Sequence, residues 1–480
     1  MDINFFSLVN YNEFDTVMQE WNNLTSAATS VYNQLPGNAR ASFFEMLLHP
    51  SLAGMTLYQM YYDAAKNNLY AVQGRTSANQ YLFKVFDDVA NDANLTIAYN
   101  SLLNGKWNHM MDQTHFGYDN YWQQPMRNSL PGSLSYVQTQ LQALPGVMGV
   151  TCEGNNGTIP GDDPFHANGG QSLTLPPMDP FMSTPSRWID IFSRSANIPI
   201  NFHVNTTVPY VHASIVDGSL AATGSPNQTD VRVYITVDWA NAPVGDTQLI
   251  MTVSTTSGTK FPFNQSFPYG PQYNIPEILL TLNNTRSRLP SNYSGFVESE
   301  GVVSIEPEHF TQNKSSSNAS AYYAVIPGYG RTLSGVTLLP ANAPVQTPNT
   351  ASAPALVYDF YTFEQSPAGV NASVVVAIGP TLNTDPTHPV QYAVQIDQQP
   401  IQYVQPIPTT VLGSYGVQWT QMVSNFSTFN VSTFTNVKAG AHSLNLWAVT
   451  PSVTFQKVVV NLGGLRDSYM GPPESLRVGV

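Results

Sequence analysis

The sequence predicts an α+β multidomain chain: an N-terminal antiparallel helical bundle, then a small β-sandwich, then a larger C-terminal jelly-roll β-sandwich. Three observations predict it. Apolar residues recur at helical spacing through residues 10–110. The texture turns rich in Pro, Gly and Asp after about residue 131. From residue 187 onward, short runs alternate apolar and polar positions between turns. Strands and helices do not alternate along the chain, so a (β/α)₈ barrel does not fit.

The bundle is expected over 1–131. Phe14, Val17, Trp21, Leu24, Ala28, Val31 and Leu35 follow i+3/i+4 spacing. Asn12, with Asp15 three residues later, reads as a side-chain cap. A turn at "LPGN" (35–38) precedes a helix over "ASFFEMLL" that is expected to end near His49–Pro50. The proline-free run from Ser51 to Asn104 reads as long helices with a bend near Gly74, completing a bundle of about four or five helices. Residues 132–185 read as a Pro/Gly-rich connector, 186–275 as the small sandwich and 276–298 as a second connector. Residues 299–480 carry about eight to ten short strand patterns, "VQWTQMV" among them, which implies the jelly roll.

At 480 residues, a prior of about 150 residues per domain gives roughly three domains. Only 10% of residues are charged and the net charge is −13. Nucleic acid, which needs clustered Lys and Arg against its phosphates, is excluded as a partner. The abundance of amides, hydroxyls and aromatics suits polysaccharide contact instead. The single cysteine, Cys152, rules out an internal disulfide framework. Thirteen Asn-x-Ser/Thr sequons (Asn23, Asn94, Asn156, Asn205, Asn227, Asn264, Asn283, Asn292, Asn313, Asn318, Asn371, Asn425, Asn430) favour a secreted glycoprotein. The opening "MDINFFSLVNYNEFD" nevertheless lacks the basic and apolar regions of a signal peptide. No stretch approaches the ~20 apolar residues of a membrane span, so no membrane partner is expected.

The densest chemistry lies in "GKWNHMMDQTHFGYDNYWQQPMRNSLP" (105–131). Tyr118, Tyr121 and Trp122 could stack on pyranose rings, and Arg127 or Arg75 could fork onto a uronate carboxylate. The same groups suit a packed seam against a neighbouring domain. Lys66, Tyr70, Gln73 and Arg75 are expected to join that region, with Gly74 allowing close approach. His109, Asp112 and His115 invite a metal reading. Their helical steps spread the side chains over about 120°, unlike an i, i+4 zinc pair, and no metal is expected there. Cys152 is expected in a loop with no local base, which argues against a nucleophile. Trp188, Trp239, Trp419 and Trp447 read as core residues of β regions, with an exposed lectin platform as the other reading.

The motifs "AAKNNLYAVQGRTSAN" (64–79) and "GKWNHMMDQTHFGYDNYWQQP" (105–125) resemble glycoside hydrolase family 115, the xylan α-1,2-glucuronidases. "FSLVNYNE" (6–13), "IPGYGRT" (326–332) and "GGLRDSYMGPPES" (463–475) match that family in order. The resemblance implies an inverting hydrolase, needing no cofactor, that removes (4-O-methyl)glucuronic acid side groups from glucuronoxylan. It implies a secreted parent and admits a homodimer of that parent. The family's catalytic barrel and carboxylates are expected upstream of the bundle, so no catalytic residue is carried onto this chain. The bundle motifs are then candidates for a substrate cleft or a barrel interface. The chain alone is expected to support the barrel and lack turnover; a stand-alone secreted carbohydrate-binding or wall-associated protein is the alternative.

Two shorter resemblances refine the sandwiches. "WIDIF" and "VYITVDWANAPVG" resemble immunoglobulin-like domains of the BACON kind. "VSIEPEHF" resembles the opening strand of carbohydrate-binding module families 6 and 35. In such modules glutamates at this place can hold a structural calcium, which makes Glu306 and Glu308 candidates. At i, i+2 on a strand they would share a face.

Overall fold

The computed structural model describes residues 5–117, 126–140, 146–158, 173–257, 276–314, 321–350, 353–363, 371–410 and 417–479. Helix α1 (Glu13–Gln34) follows two left-handed residues, Tyr11 (φ 57°) and Asn12 (φ 54°). Asn12 makes no side-chain cap, because its left-handed backbone replaces the extended conformation such a cap needs. Helix α2 (Gly37–Phe43) runs through a π turn (Phe44–Leu48) into α3 (His49–Val72). Pro50 therefore opens α3 and does not end the preceding helix; a first-turn proline loses no helical hydrogen bond. After a break that holds Gly74 at φ 69°, α4 (Ala78–Asn100) returns antiparallel.

Helix α3 packs against both α1 and α4. Their shared core holds Phe14 and Met18 of α1, Met60, Tyr61 and Ala64 of α3, and Val85 of α4. Gly54 is required here, since a Cβ on it would lie 2.5 Å from the Trp21 ring. The predicted α1 stripe leaves the core beyond Trp21, where Leu24 and Val31 are exposed. Among the described residues, no helix is long and apolar enough to cross a membrane.

The first sandwich pairs a four-stranded sheet (Met148–Cys152, Arg187–Ser193, Asp230–Val237, Val211–Ala213) with a five-stranded one. The latter runs Leu173–Thr174, Glu277–Asn284, Gly245–Thr255, Ile200–Asn205, Asp217–Leu220. Ile200–Asn205 alternates buried and exposed as its sequence predicts. Met148–Cys152, Leu173–Thr174 and Glu277–Asn284 lie in segments read from Pro and Gly content as connectors. Met148–Cys152 and Leu173–Thr174 are too short to show a period, while Glu277–Asn284 does alternate in burial but stands among prolines and glycines that read as a connector. Every residue of Arg187–Ser193 is buried. Ile189 and Ile191 fill the sandwich core, and the alternate residues face the helices.

The C-terminal sandwich joins a seven-stranded and a six-stranded sheet around one core that includes Val303, Val336, Tyr358, Val376, Leu446 and Val458. Gly295–Val297 pairs parallel with Ala355–Thr362, and Arg477–Val478 adds antiparallel to it. "VQWTQMV" is not a strand: Val417–Asn425 is a helix. Its β-branched content suggested a strand, but Trp419 and buried Met422 share a helical face at i, i+3. Trp188 and Trp447 are buried, Trp239 packs on the first sandwich core, and Trp419 is half-buried.

Candidate functional site

The expected region around Lys66–Arg75 is a seam between the helices and the first sandwich. Arg75 is 1% exposed. Its guanidinium bonds Asp190 Oδ2 (3.2 Å) and Asp230 Oδ2 (3.3 Å), while Nε donates to Gln73 Oε1 (2.7 Å). It lies 3.8 Å from the Tyr70 ring centroid and 4.2 Å from that of Phe192. Gln73 Nε2 donates to the Asn156 carbonyl (2.9 Å). Arg232 also binds Asp190 (2.8 Å) and reaches Asp15 (3.3 Å), which Lys66 approaches at 3.6 Å. Burial works to raise the Asp190 pKa, but Arg232 and Arg75 outweigh it and hold the carboxyl below its ordinary value. At Asp230 burial wins over Arg75 and Ser77, and the pKa is raised. Burial lowers Lys66 against the pull of Asp15. A guanidinium enclosed this way cannot meet a substrate.

The dense stretch lies elsewhere. His115 Nδ1 bonds Asp92 Oδ1 (2.8 Å) and Asn100 Nδ2 donates to Asp112 Oδ1 (2.7 Å), so it is fastened to the later half of α4. Asp92 is about 20 Å along α4 from the Arg75 end at ~1.5 Å per residue. The described residues 105–117 and the Lys66–Arg75 segment therefore do not form one site. His109 and Asp112 pair at 2.5 Å on the exposed surface, and the hydrogen bond from His109 holds Asp112 below its ordinary pKa. The Asp92 hydrogen bond raises His115 against the effect of burial. Arg127 is exposed. Tyr118, Tyr121 and Trp122 lie outside the described residues.

A different set of residues converges where the helices and both sandwiches meet. Arg187 and Arg466 bridge Glu153 and Glu300. Arg187 Nη1 bonds Glu153 (2.8 Å) and its Nη2 pairs with Glu300. Arg466 bonds Glu153 (3.1 Å) and Glu300 (2.8 Å). The Tyr11 hydroxyl accepts from the Arg466 backbone (3.0 Å), and its ring lies 4.3 Å under that guanidinium. These five residues line a cleft of about 240 Å³. Beside it, burial pushes Asp179 up to about 6 although Phe181 N, Ser299 Oγ and Glu300 N all donate to it. Glycosidase chemistry usually needs one carboxylic acid and one carboxylate across a pocket. Here both carboxylates are ion-paired to the same two guanidiniums, an arrangement for cohesion.

The segments 6–13, 326–332 and 463–475 meet at this junction. Buried Glu13 accepts from the backbone of Ser7 (2.6 Å) and Tyr469 (3.1 Å), and also from Met470. Arg331 Nε donates to the Tyr469 carbonyl (2.8 Å), and the Tyr469 ring packs on Phe5 at 3.8 Å. Glu13→Gln is expected to loosen the tail by about 1.5–3 kcal/mol, the usual worth of hydrogen bonds to a charged group. Tryptic cleavage after Arg466 should then speed up about ten- to a hundredfold, as for opening of a local unit. An unchanged cleavage rate would contradict that role.

Sequence reasoning missed Glu153, Arg187, Glu300 and Arg466. A signal existed, since a charged residue inside an apolar strand such as "RWIDIF" is informative in a chain with so few charges. Glu306 and Glu308 are not a strand pair, because the strand Val302–Ile305 ends before Pro307. Glu306 is buried against Lys457 Nζ (3.3 Å) and Thr332. Glu308 faces His309 Nε2 (3.6 Å). A lysine ammonium thus stands where the calcium reading would place its ion. Cys152 is in a strand, not a loop; it is fully buried, and burial raises its thiol pKa.

Residues 295–474 match the glycosyl hydrolase family 115 C-terminal domain. No curated protein matches the chain. Among solved structures, a family 115 4-O-methyl-alpha-glucuronidase with specificity for decorated arabinogalactans is similar over 93% of this chain. The identity is 10% and the TM-score 0.43; the match covers 33% of that structure, so this chain spans about a third of its length. A family 6 carbohydrate-binding module from Zobellia galactanivorans is similar over 33% of this chain and 98% of its own, at 11% identity and a TM-score of 0.19. A family 35 module from Clostridium thermocellum covers 33% and 97%, at 11% identity and a TM-score of 0.21.

Proposed function

We propose, from the family 115 C-terminal domain that occupies residues 295–474, that this chain is the supporting portion of a glycoside hydrolase acting on glucuronoxylan. The parent removes (4-O-methyl)glucuronic acid side groups, and a catalytic barrel supplies the reacting carboxylates. The chain contributes scaffold and cleft wall. The observation that carries this reading is the three-unit junction, where Glu153 and Glu300 are both neutralised by Arg187 and Arg466. Such a junction fastens the two sandwiches to each other, and Glu13 of α1 ties the helices to the 463–475 segment beside it. The outer helical surface, with exposed Phe83, Phe86 and Ile97, is left for a further unit. Export of the parent is supported by the sequons.

The test is glucuronic acid release from glucuronoxylan by the purified 480-residue chain. No release above the buffer rate is expected, and turnover on the usual enzyme scale of about 1 s⁻¹ or more would overturn the proposal. Stand-alone glycan binding has less support, because Trp447, a candidate platform, is only 2% exposed.

A further inference from the structure

A groove of about 360 Å³ runs between the outward face of the C-terminal sandwich and the tail segment 465–472, and Asn425 lines it. We infer that Asn425 carries an N-linked glycan whose first sugars lie in this groove, an inference that rests on the export proposed above. The class of modification follows from "NFS" (425–427), an Asn-x-Ser acceptor.

The local fold delivers Asn425 to that place. The helix Val417–Asn425 ends in a Schellman turn. Phe426, left-handed at φ 53°, donates its N–H to the Val423 carbonyl (3.2 Å), and the Ser427 N–H donates to that of Met422 (3.1 Å). The Asn425 carbonyl accepts from Arg331 Nη1 (3.1 Å) and from the Tyr469 hydroxyl (2.8 Å). The backbone of Asn425 is thereby fixed at the border of the groove, where the residue is half-buried.

The groove suits a sugar. Three adjacent strands build its floor in register: Ala377 lies between Phe429 and Lys457, and Val375 lies between Val431 and Val459. Phe429 is 46% exposed, and Val431, next on the same outward face, is 60% exposed. Large apolar side chains exposed side by side mark a surface that something covers. Asn461 and Asp467 add polar groups to the lining. A pyranose ring is apolar on its C–H face and polar at its edge, so it matches both. The volume falls at the lower end of the about 300–1,000 Å³ typical of small-ligand sites.

A neighbouring sequon supplies the contrast. "NVS" (430–432) is also an acceptor by sequence. Asn430, however, sits between outward-facing Phe429 and Val431 on the strand Thr428–Phe434, so its side chain points inward. Its Nδ2 is buried and has no hydrogen-bond partner among the described residues. A glycan on that nitrogen would have to pass through the sandwich, and a chain modified there cannot form this strand.

The experiment is glycopeptide mapping of the full chain, exported from a eukaryotic host under that host's own leader and treated with peptide N-glycosidase in heavy-oxygen water. Asn425 is expected to be marked and Asn430 unmarked. A second arm follows release of the Asn425 glycan from the folded protein. Phe429→Ser, on the exposed face and outside the sandwich core, should speed that release about tenfold, the factor that about 1.4 kcal/mol of lost packing gives. An unmodified Asn425 in the exported chain, a modified Asn430, or equal release from both proteins overturns the inference. Because the host leader directs export here, a native chain recovered only from inside its cells refutes the export reading and not the fit of a glycan to this groove.

Discussion

Arg75→Ala is expected to lower the stability of the chain by about 3–5 kcal/mol, the usual cost of removing one partner of a buried ion pair. Asp190 would keep Arg232, but Asp230 would keep only Ser77 Oγ. Gln73 Oε1 would lose its donor in the same change. A urea titration followed by far-UV circular dichroism measures this as a fall in midpoint. Adding Asp230→Asn to Arg75→Ala should recover part of the loss, because it removes the stranded charge. A loss below about 1 kcal/mol, the range of a surface pair, would mean that the seam contributes little.

The second large effect concerns pH. Asp63 on α3 and Asp88 on α4 are buried together. Burial, together with the neighbouring Asp63, pushes Asp88 up to about 8. Burial raises Asp63 as well, although Gln59 Nε2 donates to it (3.0 Å). Unfolded aspartates titrate near ~3.9, so between about pH 4 and pH 8 the folded chain holds more protons than the unfolded one. Stability is therefore full below that window and falls as pH rises through it. Asp88→Asn imitates the protonated acid. It should flatten the decline and stabilise the chain at pH 9 by about 2–3 kcal/mol, a figure held well under the full linkage value because the pair shares the shift. A midpoint that declines equally in both proteins between pH 5 and pH 9 would refute the assignment.

The periodic elements were legible because each of their residues reports on its neighbours three, four or two positions away. Phe14 and Val17 entered the helical core, and Ile200–Asn205 alternated as written. The strand at Met148–Cys152 was hidden among glycines and prolines. The helix at Val417–Asn425 was hidden by β-branched residues whose propensity the tertiary packing overrode. The candidate site was legible in part. Arg75 and Gln73 were marked by residue type, but their partners were not, since Arg75 and Asp230 are 155 positions apart. Arg466 and Glu153 are 313 apart. No local period encodes an ion pair over such distances, so the three-unit junction had to be seen in space.

The strand Arg187–Ser193, covered on both faces, also sets a timetable. Ribosomes extend chains at about 5–20 residues per second. The helices would leave the ribosome roughly 8–30 s before Asp230 is made to complete the Arg75 cage. During that interval the guanidinium and the Tyr70 ring that will flank it face solvent or a chaperone. Synthesis speed between residues 75 and 230 thereby becomes a determinant of yield, and slowing translation there should raise the fraction of chain captured in an unfinished state.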